Sequence, residues 1–489
     1  MAVAWAGHAK SNYLALFDAI DKQAEYNEDA LLKKFRKEAF VKQFSVAKKY
    51  LYEQILKSQR VYNSQYTVSG LVNAALENSE VLFSRGLYPL SFDELNDAMA
   101  LAIKYDQPLK LLEVKARERA MYLEIAAKNW DEQIGQNLTE TKAILNDYRM
   151  YLDLFDIYYR LMFFWRHERI IRTEEQRAEM DAVMQHPLLG QMPENAGFFT
   201  RQIYLTIHMI YCFISNNDEK SFEMMNAVLQ MWDNNPAMKE AEPIKYLSAV
   251  NNYFNICFKL IRIDLIRSYL NNFDDSFVAR NEAAKAIKFE TFSNYRMILL
   301  YADNKFDEVV ELLEATREGI KQHAALINPV RLLLLKFNSL ILYWIQGQFS
   351  DAIDMANEIL NEKQVDLRRD IQAATRIVYL ILHYELNNAV MLESAIRSSK
   401  RYLKTREQYY EAEKVFFRHF FQLNQCAGKA DKLQVFIAVK NELSELFEKN
   451  PLERNFLQTL NVVNWLDAKI NETTLKEVLI AQALNGQNA

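Results

Sequence analysis

Glycine and proline are scarce in this chain: 10 and 8 among 489 residues, where ordinary usage would supply roughly 34 and 24. Sheet-rich folds need many tight turns, so the shortage points to a mostly helical protein. Cysteine is nearly absent. Cys212, Cys257 and Cys426 stand far apart, without the short spacings of a zinc or redox motif, and each falls just before a predicted turn, where a small apolar residue packs. No apolar stretch approaches about 18 residues without a charge; the strongest, Leu332 to Ile345, is interrupted by Lys336. The start, Met1 to Lys10, lacks the basic region and apolar run of a signal peptide. These absences predict a cytoplasmic, reduced protein without membrane contact, and the glycosylation sequons at Asn137 and Asn471 read as chance matches.

Catalytic signatures are missing as well. Gly428 and Lys429 are followed by Ala430, so there is no phosphate-binding loop, and neither a nucleophile elbow nor a paired-histidine zinc helix is present. The seven histidines are dispersed; His208, His383 and His419 fall on apolar helical patterns and are expected to pack. Acid pairs such as Asp274 and Asp275 or Glu174 and Glu175 fall at helix ends, where the helix dipole and solvent account for them. No catalytic residue, metal ligand or cofactor is assigned, and a non-enzymatic protein is expected.

What the chain does have is a period. Phe306, Val309, Val310 and Leu313 recur as Phe349, Ala352, Ile353 and Ala356, then as Leu392, Ala395, Ile396 and Ser399, then as Val435, Ala438, Val439 and Glu442. The spacing i, i+3, i+4, i+7 is one face of a helix, and the interval of 43 residues between units is a repeat length. With small shifts the pattern reaches back to Ile263, Ile266, Leu270 and to Phe222, Met225, Leu229.

Placing a turn at Gly347 and stepping by the same interval predicts others near Gly86, Asn129, Arg172, Asn217, Arg262, Asn304, Asn388 and Gly428. Pro108, Pro187, Pro193, Pro236, Pro243, Pro329 and Pro451 all fall between these turns, as residues excluded from helix interiors should; Pro89 alone is out of phase. About nine helix pairs are predicted over residues 66 to 470, preceded by a basic helical segment or cap, residues 1 to 65, and followed by a C-terminal cap and tail, residues 471 to 489. Residues 186 to 200 have loop composition and read as an inter-repeat connection.

Gly347, Phe349, Ala352, Ile353 and Ala356, with Tyr343 before them, resemble the turn glycine, aromatic and small packing positions of the tetratricopeptide family. Lys336 and Leu340 depart from that motif, and the unit is about nine residues longer than the usual 34. The segment from Asn12 to Arg60, with ALFDAIDKQAEYNEDALLKKF and FVKQFSVAKKYLYEQILKSQR, looks like the opening of bacterial helical-repeat proteins that carry no assigned activity. The resemblance implies an all-α, tetratricopeptide-like α-solenoid, a right-handed superhelix of antiparallel helix pairs with elongated helices.

Three surfaces are candidates for contact. Carrying the family register over from Gly347 turns Asn294, Tyr301, Phe337, Trp344, Tyr384 and Asn387 toward an inner groove, an apolar and aromatic lining suited to an amphipathic helix or extended apolar peptide. The alternative for the same residues is burial as core. Residues 31 to 60 carry nine basic residues against two acidic ones, a net of +7 in a chain of −5. A helix-turn-helix reading, with helices Phe35 to Phe44 and Ala47 to Lys57, would offer Lys33, Lys34, Lys48 and Lys49 to nucleic acid. A plain cap with Val46, Tyr50, Leu51 and Ile55 inside is weighed above it. The aromatic-dense stretch Tyr148 to Arg172 reads as a buried helix before it reads as a single-strand stacking platform. The expected role is a protein-interaction scaffold or adaptor that binds a peptide or helix of a partner. The alternative is a regulator whose N-terminal segment binds nucleic acid.

Overall fold

The computed structural model describes residues 12–23, 26–125, 129–168, 171, 173–192, 196–278, 281–362, 368–404, 411–426, 428–449 and 460–486. Among them every regular element is a helix, and consecutive helices pack against each other. None of these helices is long and apolar enough to cross a membrane. The chain divides into two compact units, Met1–Glu242 and Pro243–Ala489.

The first unit holds α1 (Asn12–Asp21), α2 (Glu28–Lys34), α3 (Phe44–Tyr66), α4 (Val68–Ser84), α5 (Tyr88–Lys104), α6 (Pro108–Ile125), α7 (Trp130–Glu168), α8 (Glu174–Met184), α9 (Phe198–Ile214), α10 (Asp218–Asp233) and α11 (Pro236–Ala241). The second holds α12 (Pro243–Lys259), α13 (Ile263–Asn271), α14 (Glu282–Ala302), α15 (Phe306–His323), α16 (Pro329–Ile345), α17 (Phe349–Leu360), α18 (Arg369–Glu385), α19 (Ala389–Lys404), α20 (Glu411–Leu423), α21 (Lys429–Lys449), α22 (Val462–Ile470) and α23 (Leu475–Gly486).

One turn recurs. Asn216, Ile261, Asn304, Gly347 and Asn387 all take positive φ, between 54° and 72°, at intervals of 40 to 45 residues. In each, the next residue's N–H closes a Schellman turn on the carbonyl five residues back: Asn217 on Cys212, Arg262 on Cys257, Lys305 on Leu300, Gln348 on Tyr343 and Asn388 on His383, at 2.8 to 3.0 Å. The left-handed residue stops one helix and satisfies its last carbonyls, so the chain can reverse into the next. Glycine or asparagine suits that position, and four of the five obey. The fifth is Ile261, a β-branched residue that rarely adopts positive φ and is here 83% exposed.

Pro108, Pro187, Pro236, Pro243 and Pro329 each open a helix, where the missing N–H costs nothing. Pro89, out of phase with the repeat, sits in the first turn of α5 for the same reason. Pro193, Pro451 and the turn expected at Arg172 lie outside the described residues. Of the loop expected at residues 186 to 200, Pro187–Leu189 form one turn of 3-10 helix and α9 begins at Phe198.

Two regions differ from the expected pattern. Between Asn129 and Arg172 the repeat predicts a helix pair, but α7 runs unbroken for 39 residues, about 58 Å. No proline or glycine lies after Gly135 to stop it. In the last repeat unit the buried face is Phe436, Val439 and Leu443 rather than Val435, Ala438, Val439 and Glu442, a rotation of about one residue that seats the phenylalanine inside.

Candidate functional site

The second unit is organised as inner and outer helices. Helices α15, α17 and α19 bury one face each: Phe306, Val309 and Leu313; Ala352, Ala356 and Ile359; Leu392, Ala395 and Ile396. Helices α14, α16, α18 and α20 are buried on most sides, the pattern of elements enclosed by neighbours. The expected groove lining falls on these inner helices. Asn294, Phe337 and Trp344 are buried, Tyr384 is half-buried, and Tyr301 and Asn387 are exposed at the C-terminal ends of their helices.

Burial has a polar interior to accommodate. Asn338 donates through Nδ2 to Asn294 Oδ1 at 2.5 Å, Tyr295 donates to Asn255 Oδ1 at 2.8 Å, and Arg331 Nη1 stands 3.5 Å from Glu290 Oε2. These bonds link α12, α14 and α16 across the repeat interval. Glu290 is 2% exposed. Burial raises its carboxyl above the usual range, against the opposing pull of the Arg331 guanidinium. Burial, with the neighbouring Glu290 carboxylate, also raises the Tyr295 phenol.

The exposed ends of the inner helices receive the chain's own C-terminal segment. Trp465 of α22 lies edge-on to Tyr384 with ring centroids 6.1 Å apart and donates through Nε1 to Glu385 Oε1 at 2.6 Å. Lys469 holds the other Glu385 oxygen at 2.6 Å, Tyr301 donates to Asn461 at 3.2 Å, and Lys476 pairs with Asp307 at 2.7 Å. Burial, with the adjacent Glu385, pushes the Tyr384 phenol up to about 12. Thus Tyr301 and Tyr384 are brought together by an amphipathic helix from the same chain, while Asn387 serves as the left-handed turn residue. Sequence reasoning missed Glu385, Trp465 and the Glu290–Arg331 pair. Trp465, an aromatic at the very end of the predicted array, was the signal available for the first two.

The basic N-terminal residues do not take the helix boundaries of the alternative helix-turn-helix reading. After α2 comes a 3-10 turn, Ala39–Gln43, and α3 runs on from Phe44 without a break at Ser45. Lys48 is paired with Glu28 and lies over the Tyr26 and Phe44 rings, which raises its ammonium through the Glu28 hydrogen bond. Lys33, Lys34 and Lys49 are exposed. The cap's inward set is Leu16, Ala19, Leu31, Phe44, Ala47 and Leu51; Val46, Tyr50 and Ile55 face out. Ala47 and Leu51 are one helical turn apart and take the inner face, which leaves Val46 and Tyr50 beside it.

Cys212 and Cys257 are buried and Cys426 half-buried, all three as free thiols; burial pushes the Cys257 thiol up to about 11. His419 is held by Gln422 at 3.0 Å and Glu442 at 2.8 Å. His383 is 3% exposed with neither ring nitrogen hydrogen-bonded, and burial lowers its imidazole from the ordinary value. Asn137 is buried and bonded to the Lys115 carbonyl and Glu118, which bars it from glycosylation in the folded chain. Among the described residues no three His, Cys, Asp or Glu side chains gather to hold a metal ion. No family model, curated protein or solved structure matches this chain.

Proposed function

We propose that the chain is a non-enzymatic, cytoplasmic protein-interaction scaffold or adaptor that binds a peptide or helix of a partner protein and uses no cofactor. In this reading the helix pairs wind into a tetratricopeptide-like α-solenoid, a right-handed superhelix. The observation that carries it is the Schellman turn recurring at 40 to 45 residues from Asn216 to Asn387. Repetition of one helix–turn–helix unit presents equivalent helix ends side by side, which is how repeat scaffolds build extended binding surfaces. The docking of α22 and the Asn461 before it at Tyr301, Tyr384 and Glu385 supports a helical ligand, since these ends accept an indole from Trp465, the ammonium of Lys469 and the amide oxygen of Asn461. Asn387 lies next to this seam at the exposed tip of its turn.

The test is affinity capture from the native host with the full chain and with a Tyr301→Ala, Asn387→Asp variant. A protein recovered with the first and depleted with the second supports the scaffold. Salt-sensitive shifting of duplex DNA that is lost on reversing the charges of Lys33, Lys34, Lys48 and Lys49 would instead establish the nucleic-acid regulator.

A further inference from the structure

Helix α7 spans 39 residues while its packing neighbours α6 and α9 span 18 and 17. One face, with Leu154, Ile157, Leu161 and Phe164, is buried in the first unit. The opposite face is apolar and open: Leu138, Leu145, Leu152 and Tyr159, with Phe155 and Phe163 beside them, are all exposed, Tyr159 to 59%. The first four stand at intervals of seven residues. A seven-residue spacing drifts only about 20° per step, so these four form one continuous stripe of the kind along which a second helix packs.

The two ends of this seam are unlike. At its C-terminal end α8 stands alongside, and the two helices frame an open cleft of about 770 Å³ lined by Tyr159, Phe163, His167, Met180 and Val183. At its N-terminal end Leu138 and Leu145 project into solvent. Projections at one end and a cleft at the other, on one rod, are the elements of a two-fold antiparallel contact, in which each copy's leucines enter the other's cleft.

Charge selects the same pairing. Arg149 and Asp156 lie on the seam's flank on either side of Leu152, and their present partners, Asp153 at 4.0 Å and Arg160 at 3.0 Å, are neighbours one turn away on the same exposed helix. Such exposed pairs are weak and exchange readily. An antiparallel two-fold copy brings this flank against itself and sets Arg149 opposite Asp156 twice; a parallel copy turns it toward the other flank and makes neither pair.

We propose that the exposed face of α7 is a self-association surface, on which a second copy of this chain docks its own α7 antiparallel about a two-fold axis near Leu152.

Analytical ultracentrifugation of the full chain tests this. The expected result is a dimer that Leu152→Glu with Tyr159→Glu converts to monomer while circular dichroism is unchanged. Arg149→Asp alone and Asp156→Arg alone should each weaken association about tenfold, and the two together should restore it to within a few-fold. A monomer at every concentration, a dimer indifferent to the seam substitutions, or a double variant no tighter than the singles would overturn the proposal. So would capture on this face of an unlike protein in place of the second copy.

Discussion

The second unit and helix α7 of the first are equally rich in aromatic and aliphatic residues, yet they use them differently. In α14, α16, α18 and α20 nearly every large apolar side chain is enclosed, because each inner helix has an outer helix on one side and further inner helices on the others. Neighbours cover helix α7 on the side of Leu154, Ile157, Leu161 and Phe164 and leave the opposite side uncovered, so Leu152, Phe155, Tyr159 and Phe163 remain in water. Apolar composition alone does not make core. What matters is whether the next element is long enough, and close enough, to cover the face presented.

The contrast predicts that the second unit yields to substitution at points where α7 does not. The largest effect belongs to Trp465, fully buried and joined to Glu385: Trp465→Ala should lower unfolding free energy by about 3–5 kcal/mol. In urea unfolding, a loss below about 1 kcal/mol would mean that α22 is a loose cap and no part of the core. Next comes Gly319, where an added Cβ would collide with the Phe289 ring. Gly319→Ala should cost about 1–3 kcal/mol and displace α15 from α14, read as faster amide exchange in both.

His383 comes third. Its folded-state affinity for protons is lowered by burial, so the unfolded chain binds the proton first as pH falls. Stability from this group is complete above the unfolded value of about 6.5 and declines as pH drops below it, by at most about 1.4 kcal/mol per pH unit. Glu290, raised by burial, works in the opposite sense, gaining stability as pH falls toward the carboxylate range. His383→Phe should flatten the slope below pH 6.5; an unchanged slope would show that His383 makes no contribution to it. The smallest effect is a gain. Ile261→Gly should relieve left-handed strain and add about 1 kcal/mol, and a thermal midpoint that falls instead would mean that the exposed isoleucine has a partner.

Much of this fold is legible in the chain. The turns stepped from Gly347 fall within one residue of the left-handed positions at 216, 261, 304, 347 and 387, because a helix reversal needs a residue that tolerates positive φ and the sequence supplies Asn or Gly at four of the five. Ile261 was legible only through its neighbours. The expected pair at residues 129 to 172 fails for a related reason: its stepping point, Asn129, precedes a run without a helix-stopping residue between Gly135 and Glu168. At the candidate site, residue type and register place Tyr301, Tyr384 and Asn387 on one side of the inner helices. They do not reveal that Trp465, about 80 residues beyond Tyr384, lies across that side.

The amino-acid sequence by itself determined helix, period and turn position, since these depend on contacts within a few residues: apolar spacing, excluded prolines and tolerant turn residues. Tertiary structure alone decided which apolar faces are enclosed. It buried Phe337 and Trp344, left Tyr159 and Phe163 open, and brought α22 to Glu385. Enclosure depends on which side of a helix its partners, often distant in sequence, come to cover, and no local pattern encodes that.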